Sequence, residues 1–293
     1  MMTSVQESTS TLAAGGLDRQ LEQHRRELTG YCYRMLGSAF EAEDAVQDTF
    51  LRALRGYERF EGRAALRSWL YRIATNVCLD MLNGRQRRAR PMDMGPAREP
   101  DAANLDTLPE SAWLQPIPDG LVVADGDPAE VAELLETSVA SVNSALQRAR
   151  ATLETIDLSA ADASRSVGEA DAELLARYVE AFERYDMEAL TSLIQEDATQ
   201  SMPPFDLWLS GRDDIFRWWF GPGIGCQGSR VIPTFAANGS PAFGQYKPAE
   251  DGGFDPWALQ VVELENGTIK ELTFFLETDT LFPLFGLPPR IEP

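Results

Sequence analysis

Arg72, Asn76, Asp80 and Asn83 recur at i, i+4, i+8 and i+11, which sets all four on one face of a helix. Tyr71 and Thr75 flank that face, and RQRRAR follows it, crowding Arg85, Arg87, Arg88 and Arg90 into one short tail. Amide, aromatic and guanidinium groups in one strip are the groups that stack on unpaired bases, bond base edges and hold phosphates. Each arginine–phosphate contact would also make binding depend on salt. A solvated helix face draws on the same residue types, so the strip alone leaves both readings open. Two further features favour nucleic acid: the cluster of four arginines, and the stretch AEVAELLETSVASVNSALQRARATLE at 129–154. That stretch reads as a helix, a break near Thr137-Ser138, and a second helix ending in Arg148 and Arg150, which is the pattern of a helix-turn-helix.

A net charge of −20 argues against a nucleic-acid partner until it is divided along the chain. Residues 18–90 hold fourteen Arg against ten Asp or Glu. Residues 91–130 hold one Arg against nine, and 131 to the end nine Arg and two Lys against twenty-six. One block is therefore cationic within an acidic chain, and the asymmetry carries more information than the sum. The 44% hydrophobic and 25% charged content is that of a globular protein. No apolar run approaches the roughly twenty residues that span a bilayer, and the first residues do not read as a secretion signal. Membrane association is not expected, and a cytoplasmic setting is. Cys32, Cys78 and Cys226 are far apart in sequence with no CxxC or Cys/His cluster, so plain buried thiols are expected, with no metal and no cofactor.

Three amphipathic helices position the polar strip. The first carries Leu28, Tyr31, Cys32, Met35 and Leu36 at helical spacing. The second, about 41–57, buries Ala45, Val46, Phe50, Ala53, Leu54 and Tyr57, and turns Asp44, Gln47, Asp48 and Arg52 outward. The third, about 64–83, buries Leu66, Trp69, Leu70, Ile73, Ala74, Val77 and Cys78, and Asn83-Gly84 stops it. Residues 1–17 read as a disordered arm. Residues 91–128 are broken by seven prolines and read as a linker, although the Trp-Leu pair in SAWLQPIPDG has the look of an anchor. A second linker is expected at 157–170.

The block 171–293 changes character. Helices at 171–184 and 186–196 precede β-prone runs, and Asn-Gly pairs at 238–239 and 266–267 sit where type I′ hairpin turns belong. Helices followed by a curved antiparallel sheet imply an α+β domain with one helical layer. Asp197, Asp206 and Asp279 are its candidate acids, with Trp208, Trp218, Phe235 and Trp257 as candidate pocket walls. Core aromatics and surface carboxylates would read alike. His24, outside this block, is the only histidine, which leaves no histidine for acid–base work there.

YCYRMLGSAFEAEDAVQDTFLRAL and FEGRAALRSWLYRIATNVCLDMLNGRQRR resemble region two of the extracytoplasmic-function sigma factors, the promoter-specificity subunits of bacterial RNA polymerase. The resemblance implies that Asp44, Gln47, Asp48 and Arg52 contact the clamp of the polymerase largest subunit. It implies that Trp69, Tyr71, Arg72, Asn76, Asn83, Arg85, Arg87 and Arg88 face the minus-ten element of promoter DNA. Trp69 also lies on the buried stripe, so both places stay open for it. Residues 129–156 resemble the end of region four, which reads the minus-thirty-five element; Asn143, Ser144, Gln147 and Arg148 would enter the major groove, with Arg150 on phosphate. Family members place two more helices before this pair, and here GDP runs directly into AEVAELLET, as an internal deletion would leave it.

The C-terminal block resembles the SnoaL-like domains fused to one subgroup of these factors, on WLQPIPD, ANGSPAF and TLFPLFGLP. The expected protein is thus multidomain: an all-α helical bundle at 18–90, a linker at 91–128, a helix-turn-helix remnant at 129–156, a linker at 157–170, and an α+β cone with a curved antiparallel sheet at 171–293. It would bind core RNA polymerase, recognise and melt promoter DNA, and be tuned by intramolecular contact between the SnoaL-like domain and the sigma regions, with no catalytic residue. The alternative is a SnoaL-like cyclase, isomerase or hydrolase with DNA-binding appendages, which requires a carboxylate in an apolar pocket.

Overall fold

The computed structural model describes residues 17–57, 60, 65–122 and 169–293. The expected N-terminal arm, the helix-turn-helix and the second linker lie outside them. The chain divides into two compact units. Described residues up to Arg87, with Gly120–Val122, belong to one; Arg88–Asp119 and the described residues from 169 onward belong to the other.

The first unit is a helical bundle. Its main helices are α1 (Arg25–Leu36), α2 (Ala39–Gly56) and α3 (Leu66–Leu82), preceded by a helical stretch at 17–23. Gly37 ends α1 in the left-handed conformation at φ 72°, which costs glycine little. Ser38 then caps α2 by accepting the Glu41 N–H at 3.3 Å. Against α1 and α3, α2 presents Ala42, Ala45, Val46, Phe50 and Ala53, mostly small residues that let the helices close on Leu28, Leu70 and Val77. Burying a side chain such as Leu28 or Leu70 completely contributes about 2 kcal/mol. Leu54 and Tyr57, expected in this core, are 38% and 40% exposed. Ala53 takes the inward position at that turn, and its neighbour points about 100° away around the helix. Cys32 and Cys78 are buried as expected, and α1 and α3 bring the two thiols near enough to act on each other's ionisation, raising the pKa of Cys32 and lowering that of Cys78.

The second unit begins with a strap, Arg88–Asp119, over most of the span read as a linker with an anchor-like Trp-Leu pair. It contains the short α4 (Pro91–Met94) and is tied at intervals to the following domain. Leu108 N–H donates to Pro204 O at 3.0 Å, and Asp206 N–H to Asp106 O at 2.9 Å. Ile117 N–H donates to Asn238 Oδ1 at 2.9 Å, and Gly239 N–H to Asp119 Oδ1 at 2.8 Å. Prolines exclude long helices here without excluding such single backbone bridges, and Trp113 and Ile117 are buried.

The domain itself runs α5 (Glu169–Arg184), α6 (Met187–Leu193), β1 (Ile194–Ser201), β2 (Trp208–Ser210), α7 (Arg212–Trp219), β3 (Arg230–Pro233), β4 (Ala242–Pro248), β5 (Phe254–Glu265), β6 (Thr268–Phe275) and α8 (Thr278–Leu284). The sheet order is β2-β1-β6-β5-β4-β3. The expectation of an antiparallel sheet is corrected at one pair: β1 and β6 are parallel, a pairing that a long crossover permits and a hairpin does not. Both Asn-Gly pairs are I′-type tips, with φ of 53° and 83° at Asn238-Gly239 and 52° and 74° at Asn266-Gly267. Register shifts in β1, β4 and β5 mark irregularities of the kind that curve a sheet. Helices α5, α6 and α7 cover one face over a large aromatic core, and α8 with the tail to Leu287 packs Phe282 and Phe285 on the other.

Candidate nucleic-acid interface

Helix α3 delivers the polar strip. Arg72, Asn76 and Asn83 are exposed on it, and Asn83 ends the helix with extended backbone, its N–H donating to Asp80 O. Tyr71 departs from the expectation. It is 8% exposed, packed edge-on against Tyr31 at 4.9 Å with the Arg67 guanidinium 5.4 Å above its ring. It precedes Arg72 by one residue, so it falls on the inward side of the same turn. Burial, with Glu27 nearby, pushes its phenol above the ordinary value.

Trp69, left open between core and surface, is half-buried at the edge of the bundle. Its ring stacks on Phe60 at 4.7 Å, and Phe60 stacks on Tyr57 at 6.1 Å. A side chain at Gly56 would meet Trp69 at 3.3 Å, so that glycine admits the indole. The resulting ladder ends in the 40% exposed Tyr57, a π-surface on which a base can stack. Tyr57 and Phe60 were missed as site residues because Tyr57 matched the core period and Phe60 stands outside any helix. The signal was there in the spacing of three aromatics around RFEGRAA.

The four arginines differ in their partners. Arg85 and Arg87 are exposed in the first unit, Arg85 donating to Glu41 Oε1 at 2.9 Å. Arg88 belongs to the strap; its Nη1 donates to Glu110 O at 2.6 Å and Trp113 O at 3.0 Å. It thereby caps the carbonyls of a 3-10 turn. Arg90 Nε donates to Asp93 Oδ2 at 3.2 Å.

On α2, Asp44 and Gln47 are exposed as expected. Arg52 is held between Asp48 at 2.9 Å and Asp80 at 3.1 Å, and these carboxylates keep its pKa above the ordinary guanidinium value. The sequence reading missed the apolar residues on the same surface: Phe40, Leu51 and Leu54 are 36%, 50% and 38% exposed. Phe40 and Leu51 stand off the buried stripe, where single apolar residues look like ordinary surface variation, and Leu54 falls by its spacing on the stripe itself. Asn143, Ser144, Gln147, Arg148 and Arg150 lie outside the described residues.

The candidate acids of the second unit do not converge. Asp197 and Asp279 are exposed, and Asp206 binds Arg98 of the strap at 2.6 Å. Trp208 donates its indole N–H to Gly95 O at 2.8 Å, and Phe235 is 64% exposed. Only Trp218 and Trp257 of the four candidate walls line the cone, whose cavity is about 20 Å³, room for about one water. Its polar lining includes the amides Gln200 and Gln245, and no Asp, Glu or His is among its described lining residues. These amides belong to neutral chains. Tyr178 OH donates to Gln260 Oε1 at 3.0 Å, Gln260 Nε2 to Gln245 Oε1 at 2.9 Å, and Gln245 Nε2 to Ser229 Oγ at 3.1 Å. Trp219 Nε1 donates to Gln200 Oε1 at 2.7 Å. Burial pushes the Tyr178, Tyr185 and Cys226 pKa values up, so these groups are hydrogen-bond donors at neutral pH.

The family model for sigma-70 region 2 matches residues 21–88. The ECF RNA polymerase sigma factor SigG of Mycobacterium tuberculosis is 37% identical over 318 aligned positions, covering 94% of this chain and 85% of the relative. Those 318 positions exceed the 293 residues here, so SigG carries residues with no counterpart in this chain. The ECF sigma factor SigW of Bacillus subtilis is 47% identical over 51 residues, 17% of this chain and 27% of the relative. Among solved structures, the extracytoplasmic-function sigma factor SigJ of Mycobacterium tuberculosis superposes with a TM-score of 0.50 at 19% identity, over 93% of this chain and 99% of that one; this likeness is one of fold.

Proposed function

Because this chain belongs to the extracytoplasmic-function RNA polymerase sigma factors, we propose that its first unit docks on the clamp of core RNA polymerase through the outer face of α2. On this reading the exposed Leu51 and Leu54 form the apolar centre of the contact. Asp44, Gln47, Asp48 and Arg52 form its polar rim. Arg72, Asn76 and Asn83 on α3 face the non-template strand of the minus-ten element. The ladder of Tyr57, Phe60 and Trp69 receives an unstacked base, and Arg85 and Arg87 hold phosphates.

The observation that carries this reading is that α3 bears both the exposed amide and guanidinium strip and Trp69, whose aromatic stack ends in the exposed Tyr57. Melting a promoter requires partners for bases that have lost theirs, and that combination supplies them. The helix-turn-helix at 129–154 remains a candidate for the minus-thirty-five element in shortened form, in keeping with the residues of SigG that have no counterpart here. The SnoaL-like domain is regulatory in this account. The narrow cone and its neutral amide network favour that role over the enzyme reading, which needs a carboxylate in an apolar pocket. The test is copurification of the full chain with core polymerase and promoter-specific transcription in vitro. Absence of a complex with core enzyme overturns the proposal.

A further inference from the structure

On the sheet face that carries α8, the strap roofs a cavity of about 120 Å³. The narrow cone lies on the other face, because Val261, Thr273 and Phe275 of the cavity alternate with Val262, Leu272 and Phe274 of the aromatic core. The roof is tied in place: Leu114 N–H donates to Ala89 O at 3.2 Å, and Ile117 N–H to Asn238 Oδ1 at 2.9 Å. Pro91, Pro116, Pro203 and Phe275, all buried, give the cavity apolar walls. Its sheet side carries two carboxylates, Glu263 and Glu271, which are direct cross-strand partners on β5 and β6. Like charges so placed repel. Glu271 is half-buried, and among the described residues its one hydrogen-bond donor is the Thr273 hydroxyl at 3.4 Å. Arg90 at the rim is exposed and bonds Asp93 at 3.2 Å; among the described residues no salt bridge joins it to either glutamate.

We infer that this cavity binds a small organic cation, an ammonium group on an apolar body about the size of one ring. An ammonium brings three donors and a positive charge to a carboxylate pair short of both. The prolines and Phe275 receive the body, and the volume is of the order that admits benzene, about 150 Å³. Exposed Glu263, Leu114 and Asn238 mark the side open to solvent, through which a ligand enters. Two carboxylates outweigh one guanidinium already bonded to Asp93, which disfavours an anion. A neutral ring leaves the repulsion between Glu263 and Glu271 unrelieved. Burial and the neighbouring Glu263 raise the Glu271 pKa, the direction expected of a carboxylate that gains from an added positive charge. The site draws on no residue of α2 or α3, so the inference stands apart from the polymerase and promoter reading.

Calorimetric titration of the full chain with benzylammonium, benzyl alcohol and benzoate compares one shape in three charge states. Benzylammonium should bind about tenfold tighter than benzyl alcohol, the ratio a charge-assisted hydrogen bond supplies, with benzoate weakest. Glu271→Gln keeps the shape of the site and should weaken benzylammonium about tenfold while leaving benzyl alcohol within about twofold. Glu263→Gln, at an exposed position, is the second charge variant and should cost about threefold. Leu114→Ala, at the rim, should weaken benzylammonium and benzyl alcohol alike, by about threefold. Glu188→Gln, exposed on α6 over the other face, controls for general attraction of cations to an acidic chain and should change nothing. A thermal melt of each variant checks that it folds. The inference is overturned if benzyl alcohol or benzoate binds as tightly as benzylammonium. It is equally overturned if Glu271→Gln and Glu263→Gln leave the benzylammonium affinity unchanged, or if Glu188→Gln lowers it as much as they do.

Discussion

Replacing Leu51 and Leu54 together by alanine should weaken binding to core polymerase by about thirtyfold. Full burial of a leucine is worth roughly 1.5–3 kcal/mol. Leu51 still exposes 50% of its surface and Leu54 38%, so a partner that covers them gains about 1 kcal/mol from each. Two such losses are about 2 kcal/mol, near a thirtyfold rise in Kd. Because both side chains are partly exposed and alanine is the better helix former, the bundle should survive the change. The assay is a titration of labelled full-length chain with core enzyme, with a thermal melt of each variant alone. Asp44→Ala and Gln47→Ala, at the rim, should cost about 0.5 kcal/mol or less each. If the double leucine variant binds within twofold of the parent and melts like it, while Asp44→Ala or Gln47→Ala abolishes binding, the apolar face is not the docking centre.

Three further outcomes follow from the packing. Burial, aided by Glu263, raises the Glu271 pKa, so the folded state holds that proton more tightly than the unfolded chain. The benefit is present below the unfolded carboxyl value, near pH 4.3, and is lost as pH rises through the folded value. Glu271→Gln should therefore stabilise the protein in denaturant melts at neutral pH, with the gap closing on acidification. Gly244→Ala would place a methyl group 2.8 Å from both Leu287 methyls, an overpacking worth about 1–3 kcal/mol; the melting temperature should fall, and Leu287→Ala should recover part of the loss. A thiol-reactive disulfide reagent should label Cys226 first in the native protein. Cys32 and Cys78, buried in the bundle, should react only on unfolding.

Much of the fold was legible because it is set by near neighbours. The period of Leu28, Cys32 and Leu36 marked α1, and Leu70, Ala74, Val77 and Cys78 marked α3. Asn238-Gly239 and Asn266-Gly267 marked two hairpins through the one backbone conformation such pairs favour. Residues lying near a boundary between faces were the ones misplaced. Tyr71 and Leu54 sit where a rotation of one position exchanges core for surface, and periodicity does not resolve that. Most of the strap was read as a linker, with only the Trp-Leu pair marked as an anchor, since its ties are single bridges to residues about a hundred positions away, such as Ile117 to Asn238, and these leave no local period.

The sequence alone determined that this chain has a cationic helical block bearing an amide and arginine face, an acidic α+β block, and the family to which both belong. Those properties reside in short-range pattern and in charge counted along the chain. Only the tertiary structure decided that Arg88 caps carbonyls of the strap, that two distant cysteines act on each other's ionisation, and that the polar lining of the cone is amides instead of acids among the described residues. Each of these depends on which elements pack together, and long-range packing energy is spread over many residues, none of which signals its partner in the sequence.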